Sequence, residues 1–236
     1  MSGKITVLET TTSTNDVIHD MQYGHLDAVI ALRQTAGRGQ KGNKWEAVPG
    51  KNLTFSTLLE PDIEPADQFL ITRITSLALI DALKLFGIEA MIKWPNDIYA
   101  GDKKIAGILI ENDILGSRIT RSIVGIGLNV NQIQFHPDIP NPTSIALETG
   151  RESDIMDLFA VIMERIESRL GESKELLNRE YAERLYRLGV KSKFLDQNGK
   201  PFEAVIEGVE PSGELLVECE NVKKRFLFKE IEYLRL

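Results

Sequence analysis

Two hydrophobic periods divide this chain. Residues 4–11 (KITVLETT), 27–34 (DAVIALRQ), 52–59 (NLTFSTLL) and 122–131 (SIVGIGLNVN) are short, apolar and rich in β-branched side chains, the pattern of strands. Between the first two, the polar turn Thr11–Asn15 leads into a helix carrying Val17, Ile18 and Met21 at helical spacing, with Gly24 as its stop. Residues 66–86 place Phe69, Leu70, Ile74, Leu77, Ala78 and Leu83 at steps of three and four, an amphipathic helix ended by Gly87. Residues 90–113 read as a β-hairpin turning at Gly101 and Asp102, interrupted by Lys93-Trp94-Pro95-Asn96-Asp97. Proline removes a ladder N–H, so that strand belongs at a sheet edge or a bulge. Residues 132–143 hold three prolines and form either a lid or a plain connection. Helical periodicity returns over 153–170 and 174–188 and is closed by Gly189. From Val190 onward it gives way to short strands with turns at Asn198-Gly199 and Ser212-Gly213. The expected organisation is a larger unit over residues 1–188 and a small β-barrel over 189–236.

Composition narrows the class. A hydrophobic fraction of 42% with 27% charged residues is ordinary for a soluble globular chain. No apolar run approaches the roughly 20 residues of a membrane span, and the first residues lack a signal-peptide core, which predicts a cytoplasmic protein without a membrane partner. One cysteine, Cys219, permits no intrachain disulfide, and His19, His25 and His136 show no metal-ligand spacing. The formal charge of -7 argues against broad nucleic-acid binding. Against that acidic background, Arg33–Lys51 (RQTAGRGQKGNKWEAVPGK) carries five cations and one Glu. Gly37, Gly39 and Gly42 beside Arg38, Lys41 and Lys44 form either an anion cradle or a solvated turn.

Other positions carry the same double reading. Ser13, Thr14 and Asn15 are helix caps, or polar groups at a helix start that meet a ligand. Lys104, before the apolar run IAGILI, is a snorkelling strand lysine or a site cation. Gly125 and Gly127 lie two apart and so share one sheet face, a flat floor for a ligand or a barrel-like bend. Asn129 extends that face and suits a sugar, a phosphate or a metal-bound water.

Taken in order, S-T-N at 13–15, Q-T-A-G-R-G-Q-K-G-N-K-W at 34–45, K-W-P-N-D at 93–97, K-I-A-G-I-L-I-E at 104–111 and G-I-G-L-N-V-N at 125–131 resemble the biotin protein ligases. The resemblance spans essentially the whole chain, because the ending F-K-E-I-E-Y-L-R is similar to the family's C-terminal domain. It implies an α+β fold: a mixed or antiparallel sheet flanked by helices, like the class II aminoacyl-tRNA synthetases and biotin synthetases, followed by a small SH3-like β-barrel. It implies an ATP-dependent ligase in which the biotin carboxylate attacks the α-phosphate of ATP. A lysine of a biotin carboxyl carrier domain then attacks the biotinyl-adenylate. ATP, biotin and Mg²⁺ are the small molecules implied, and the carrier domain of a biotin-dependent carboxylase is the partner.

By this resemblance Arg38 and Lys104 are the catalytic cations. Ser13, Thr14, Asn15, Gln34, Gly37, Gly39, Gln40, Gly107, Leu109 and Gly125 join them around biotin. Trp45, Lys93, Asn96, Asp97, Asn129 and Asn131 serve the nucleotide, with Mg²⁺ near Asn129 and Asp97 also assisting the carrier lysine. The chain departs from the family at Gln40, where the glycine loop often reads G-R-G-R-x-G. Glu230 and Arg235 resemble an acidic–basic pair near the nucleotide site of relatives, with the Arg one residue late, and neither is assigned a catalytic role. Only a dozen residues precede Ser13, too few for the helix-turn-helix domain of repressor relatives, which implies a monofunctional ligase. Whether it is a monomer or a homodimer stays open. The R-R-x-S-G-G stretch of lipoate ligases is absent, and the cations that a non-catalytic biotin sensor would lose are present.

Overall fold

The structure is a computed structural model describing residues 3–20 and 22–234; Met21 and Arg235 therefore lie outside the described residues. Twelve strands and five helices follow in the order β1 (Ile5–Thr11), α1 (Thr14–Ile18), β2 (Ala28–Gln34), β3 (Leu53–Leu59), α2 (Phe69–Leu85), β4 (Ala90–Lys93), β5 (Asp97–Ala100), β6 (Lys103–Leu115), β7 (Arg118–Leu128), α3 (Ile145–Thr149), α4 (Ile155–Arg169), α5 (Lys174–Glu183), β8 (Lys191–Asp196), β9 (Pro201–Val209), β10 (Leu215–Cys219), β11 (Val222–Phe226) and β12 (Ile231–Tyr233). The first seven strands form one sheet in the order β1-β2-β3-β7-β6-β5-β4. β1 and β2 run parallel through the α1 crossover, and the other pairings are antiparallel. The last five strands make a second, antiparallel sheet in the order β11-β10-β9-β8-β12. The fold is thus mixed α+β.

The alternation of side chains along β7 divides the large sheet into two faces. Val124, Ile126 and Leu128 turn into the main core with α2 and α4, through residues such as Leu79, Leu83, Phe159 and Ile162. On the opposite face Ile123 joins a smaller cluster with Ile18, Tyr23, Val29 and Leu58 beneath α1. Gly125 and Gly127 continue this second face, where Asn15 and Trp45 lie against the bare backbone. The second sheet's apolar side chains, Phe194, Ile206, Leu215 and Val217 among them, are contiguous with the main core. No helix among the described residues is long and apolar enough to cross a membrane.

Several elements differ from the sequence expectation. Trp94–Asn96 does not break one strand: it is itself a tight turn, with a cis Trp94–Pro95 peptide, that folds β4 back on β5. β4 is an edge strand, and a bulge between Ile98 and Tyr99 follows on β5. The first helix ends at Ile18, not at Gly24. The helix expected over 174–188 stops at Glu183. There the chain turns to pair with the sheet edge, Ile92 N donating to Arg184 O (2.8 Å) and Tyr186 N to Ile92 O (2.8 Å). The short α3 was not anticipated; Ser144 caps it, accepting from Leu147 N (3.2 Å), and Gly150 closes it at φ 73°. The 132–143 segment is pinned at its end, Lys104 N to Asn141 O (2.7 Å) and Thr143 N to Lys104 O (2.9 Å).

Candidate active site

The glycine face is where most of the residues singled out from the sequence converge. Strand register sets Asp97 opposite Gly107, Gly107 opposite Gly127 and Gly127 opposite Thr54, one row across four strands. The next row is Leu109, Gly125 and Ser56. A Cβ at Gly127 would sit 2.2 Å from the Trp45 indole, and one at Gly125 would sit 2.3 Å from Asn15 Oδ1. Both glycines are therefore required by what lies on them. Over this floor is a cavity of about 490 Å³, within the range of small-molecule sites.

One end of the cavity is polar and preorganised. Gln34 Oε1, at the end of β2, accepts from Thr14 N (2.7 Å) and Thr14 Oγ1 (3.2 Å), so Gln34 in place of Ser13 caps α1. Ser56 Oγ donates to Asn15 Oδ1 (2.5 Å) and lies 2.7 Å from Thr14 Oγ1. Ser13, Thr14 and Asn15 are all buried, and Ser13 makes no capping bond with its hydroxyl.

The glycine loop between β2 and β3 is a small hairpin of its own. Trp45 N donates to Gly37 O (3.0 Å) and Gly39 N to Asn43 O (2.7 Å), and a short 3₁₀ turn spans Gln40–Gly42. Gly37 is where its arms touch, since a Cβ there would meet Trp45 O at 2.5 Å. Gln40 Oε1 and Trp45 Nε1 are buried without a hydrogen-bond partner among the described residues. Arg38 Nη2 is held by Asp16 (2.8 Å) and Glu111 (3.0 Å). Lys104 Nζ pairs with Asp97 at 2.6 Å and stands 5.9 Å from the centre of the Trp45 ring.

The other wall joins the β4–β5 turn to the second sheet. Lys93 Nζ donates to Tyr99 OH (3.0 Å) and lies 4.9 Å from the ring centres of both Tyr99 and Tyr233. Burial raises the Tyr233 hydroxyl's pKa, and the neighbouring Tyr186 and Tyr99 push the same way. Asn96 is strapped to β6 through Nδ2 to Ile108 O (2.7 Å) and Ile108 N to Asn96 O (3.0 Å).

Of the residues read from sequence, Ser13, Thr14, Asn15, Gln34, Arg38, Gly39, Gln40, Trp45, Lys93, Asn96, Asp97, Lys104, Gly107, Leu109 and Gly125 all line this cavity. Gly37, Asn129 and Asn131 do not. The Asn129 amide donates to Thr143 O (2.9 Å), and Asn131 exchanges bonds with Ser153 (2.9 Å each way). Glu230 Oε2 accepts from Leu227 N (2.7 Å), closing a local turn. Sequence reasoning missed the wall from the second sheet, where Phe228, Ile231, Glu232 and Tyr233 line the cavity. The ending F-K-E-I-E-Y-L-R marked the family there, but it singled out only Glu230 and Arg235 and not these four side chains.

A glycine-floored pocket with polar groups at one end, and two cations held on carboxylates, is the kind of site in which an enzyme binds and activates a small ligand. The model of the biotin/lipoate A/B protein ligase family matches residues 5–129, and the chain belongs to that family. It is similar to the bifunctional ligase/repressor BirA of Salmonella typhimurium, 30% identical over 245 residues, covering 98% of this chain and 74% of the relative. The biotin–[acetyl-CoA-carboxylase] ligase of Paracoccus denitrificans is 33% identical over 152 residues, 60% of this chain and 63% of the relative. Among solved structures, the biotin protein ligase from Aquifex aeolicus in complex with biotin and ATP superposes with a TM-score of 0.84 at 28% identity, covering 99% of each chain.

Proposed function

We propose that this protein is an ATP-dependent biotin protein ligase that activates biotin as biotinyl-5'-AMP and transfers it to a lysine of a biotin carboxyl carrier domain. The observation that carries the reading is the glycine floor between Arg38 and Lys104, in a chain similar from end to end to a ligase holding biotin and ATP. In the first step a biotin carboxylate oxygen attacks the α-phosphorus and the bond to pyrophosphate breaks. Negative charge gathers on the phosphate oxygens, and Arg38 and Lys104 meet it. A single preorganised donor in such a site supplies about 2.7–4 kcal/mol. A carboxylate nucleophile needs no base. In the second step the carrier amine attacks the acyl carbon and AMP leaves. Asp97, already paired with Lys104, is the carboxylate assigned to steering the incoming lysine.

The uncharged ureido ring of biotin calls for both donors and acceptors. Ser13, Thr14, Asn15, Gln34 and the unpartnered Gln40 Oε1 offer them, with Gly39 beside them on the loop. Gly107, Leu109 and Gly125 take the ring's apolar face. Trp45, Lys93, Asn96 and Asp97 serve the nucleotide, with Phe228 and Tyr233 as its far wall. Gly37 acts by shaping the loop.

For Mg²⁺ the residues do not compose a protein site. No group of three His, Cys, Asp or Glu converges among the described residues, and the Asn129 amide is committed to Thr143. The ion is read as one that ATP carries on its phosphates, and Asn129 and Asn131 as braces of the segment after β7. We also read residues 189–236 as the SH3-like domain, supported by its five antiparallel strands beginning at Lys191. The synthetase-like relationship of residues 1–188 rests on the mixed sheet with helices against it.

The test is exchange of labelled pyrophosphate into ATP. It is expected to require biotin; exchange supported by lipoate or octanoate and not by biotin would overturn the reading.

A further inference from the structure

We infer that Glu111 is a positioning residue for biotin activation, acting through Arg38; the inference rests on the ligase reading of the cavity. Glu111 sits on β6 two residues beyond Leu109, so it continues the face of the glycine floor. One of its oxygens, Oε2, accepts from Asn15 Nδ2 (2.6 Å) and from Arg38 Nη2 (3.0 Å). These partners come from α1 and from the glycine loop, 96 and 73 residues away in sequence.

The chemistry of each contact is directional. A carboxylate only accepts, so it obliges Asn15 to present Nδ2 to Glu111 and Oδ1 to the Ser56 hydroxyl, which donates at 2.5 Å. That fixes which end of the amide faces the floor at Gly125. On Arg38, Asp16 and Glu111 grip the same terminal nitrogen. The closest approach of each carboxylate is to Nη2, and Arg38 lines the cavity. Held at one corner, the guanidinium keeps its other edge for a ligand oxygen, in the fork geometry that suits carboxylate and phosphate. Arg38 and Glu111 are 44% and 39% exposed, and ion pairs this open add little to stability. The placement of the charge is what they maintain.

The variant Glu111→Gln keeps an acceptor for Asn15 but removes the charge that holds Arg38. In biotin-dependent pyrophosphate exchange, kcat/KM for biotin is expected to fall about tenfold, the loss of one charge-assisted hydrogen bond. KM for ATP should move by less than about twofold and the melting temperature by less than about 2 °C. In an Arg38→Ala background, Glu111→Gln should have almost no further effect, because the two residues act as one unit. Unchanged kcat/KM in the single variant overturns the proposal. So does an equal tenfold loss without Arg38, which would assign Glu111 a structural role. Failure of the unsubstituted protein to exchange with biotin would instead sink the ligase reading itself.

Discussion

Lys104 and Asp97 form a tight pair, 2.6 Å, with side chains 31% and 22% exposed. A pair that open adds little to folding, whereas the same ammonium facing a developing phosphate charge is worth several kcal/mol. Lys104→Ala is therefore expected to slow biotin-dependent exchange by about 10²–10³-fold with little change in thermal stability. An undiminished rate would return Lys104 to an ordinary strand lysine. Gly125 tests the floor in the same way. Its added Cβ would collide with Asn15, which Ser56 and Glu111 hold from both sides. Gly125→Ala should weaken biotin binding by about 1–3 kcal/mol, the usual cost of overpacking, measured by titration calorimetry. At this scale the motifs pointed to Arg38, Lys104 and the paired glycines, and all of them line one cavity. Glu111 stood inside the motif K-I-A-G-I-L-I-E with no sign of its task, because its meaning lies in partners 96 and 73 residues away.

Among the elements, the β4–β5 turn ties the cavity to the second sheet. Trp94 is 5% exposed, donates Nε1 to Gly213 O (2.9 Å) and meets Phe228 edge-on at 6.2 Å, so the turn docks the second sheet. Trp94→Phe keeps an aromatic ring but strands that carbonyl. The cost is about 1–2 kcal/mol, a fall of about 2–8 °C in melting temperature, read by differential scanning calorimetry. An unchanged melting temperature would mean that the bond is replaced at no cost. Long periodic segments, α2 and α4 above all, were legible within a few residues at each end. The end of α5 was not. Its helical spacing continues past Glu183, but the unpaired edge of β4 offers Ile92 N–H and C=O to Arg184 and Tyr186, and tertiary pairing wins over local propensity.

At the scale of the molecule, two arginines fasten the layers. Arg73 on α2 is 2% exposed and donates to Glu210 O (2.6 Å) and Pro211 O (2.9 Å) of the second sheet's turn, over the rings of Phe69 and Tyr181. Burial lowers its pKa below the ordinary value, with Tyr181 and Asp67 opposing. Arg169 at the end of α4 bonds Asp81 of α2 (2.7 Å), Glu172 (2.9 Å) and Glu180 of α5 (2.5 Å). Desolvation would lower its pKa, and the bonds to Glu180 and Asp81 more than offset it, so the guanidinium stays charged. Arg169→Met leaves three carboxylates facing one another. Each keeps about a quarter of its surface in water, 26–27%, so the loss should lie toward the lower end of about 3–5 kcal/mol. Urea unfolding would read it as a lower midpoint; an unmoved midpoint would show that the cluster adds nothing net.

The sequence by itself determined the long periodic elements, the acidic background against which one basic glycine loop stands out, and the motifs that mark the family. These are local quantities, written in periodicity, composition and short spacing. Only the tertiary structure decided that Trp94–Asn96 is a turn, that the second sheet and the segment before its last strand wall the cavity with Tyr233 and Phe228, and that Asn129 turns away to Thr143. Each of those depends on which distant backbone or side chain satisfies a buried polar group or an apolar face. That choice is made by packing across the whole molecule, and no window of sequence contains it.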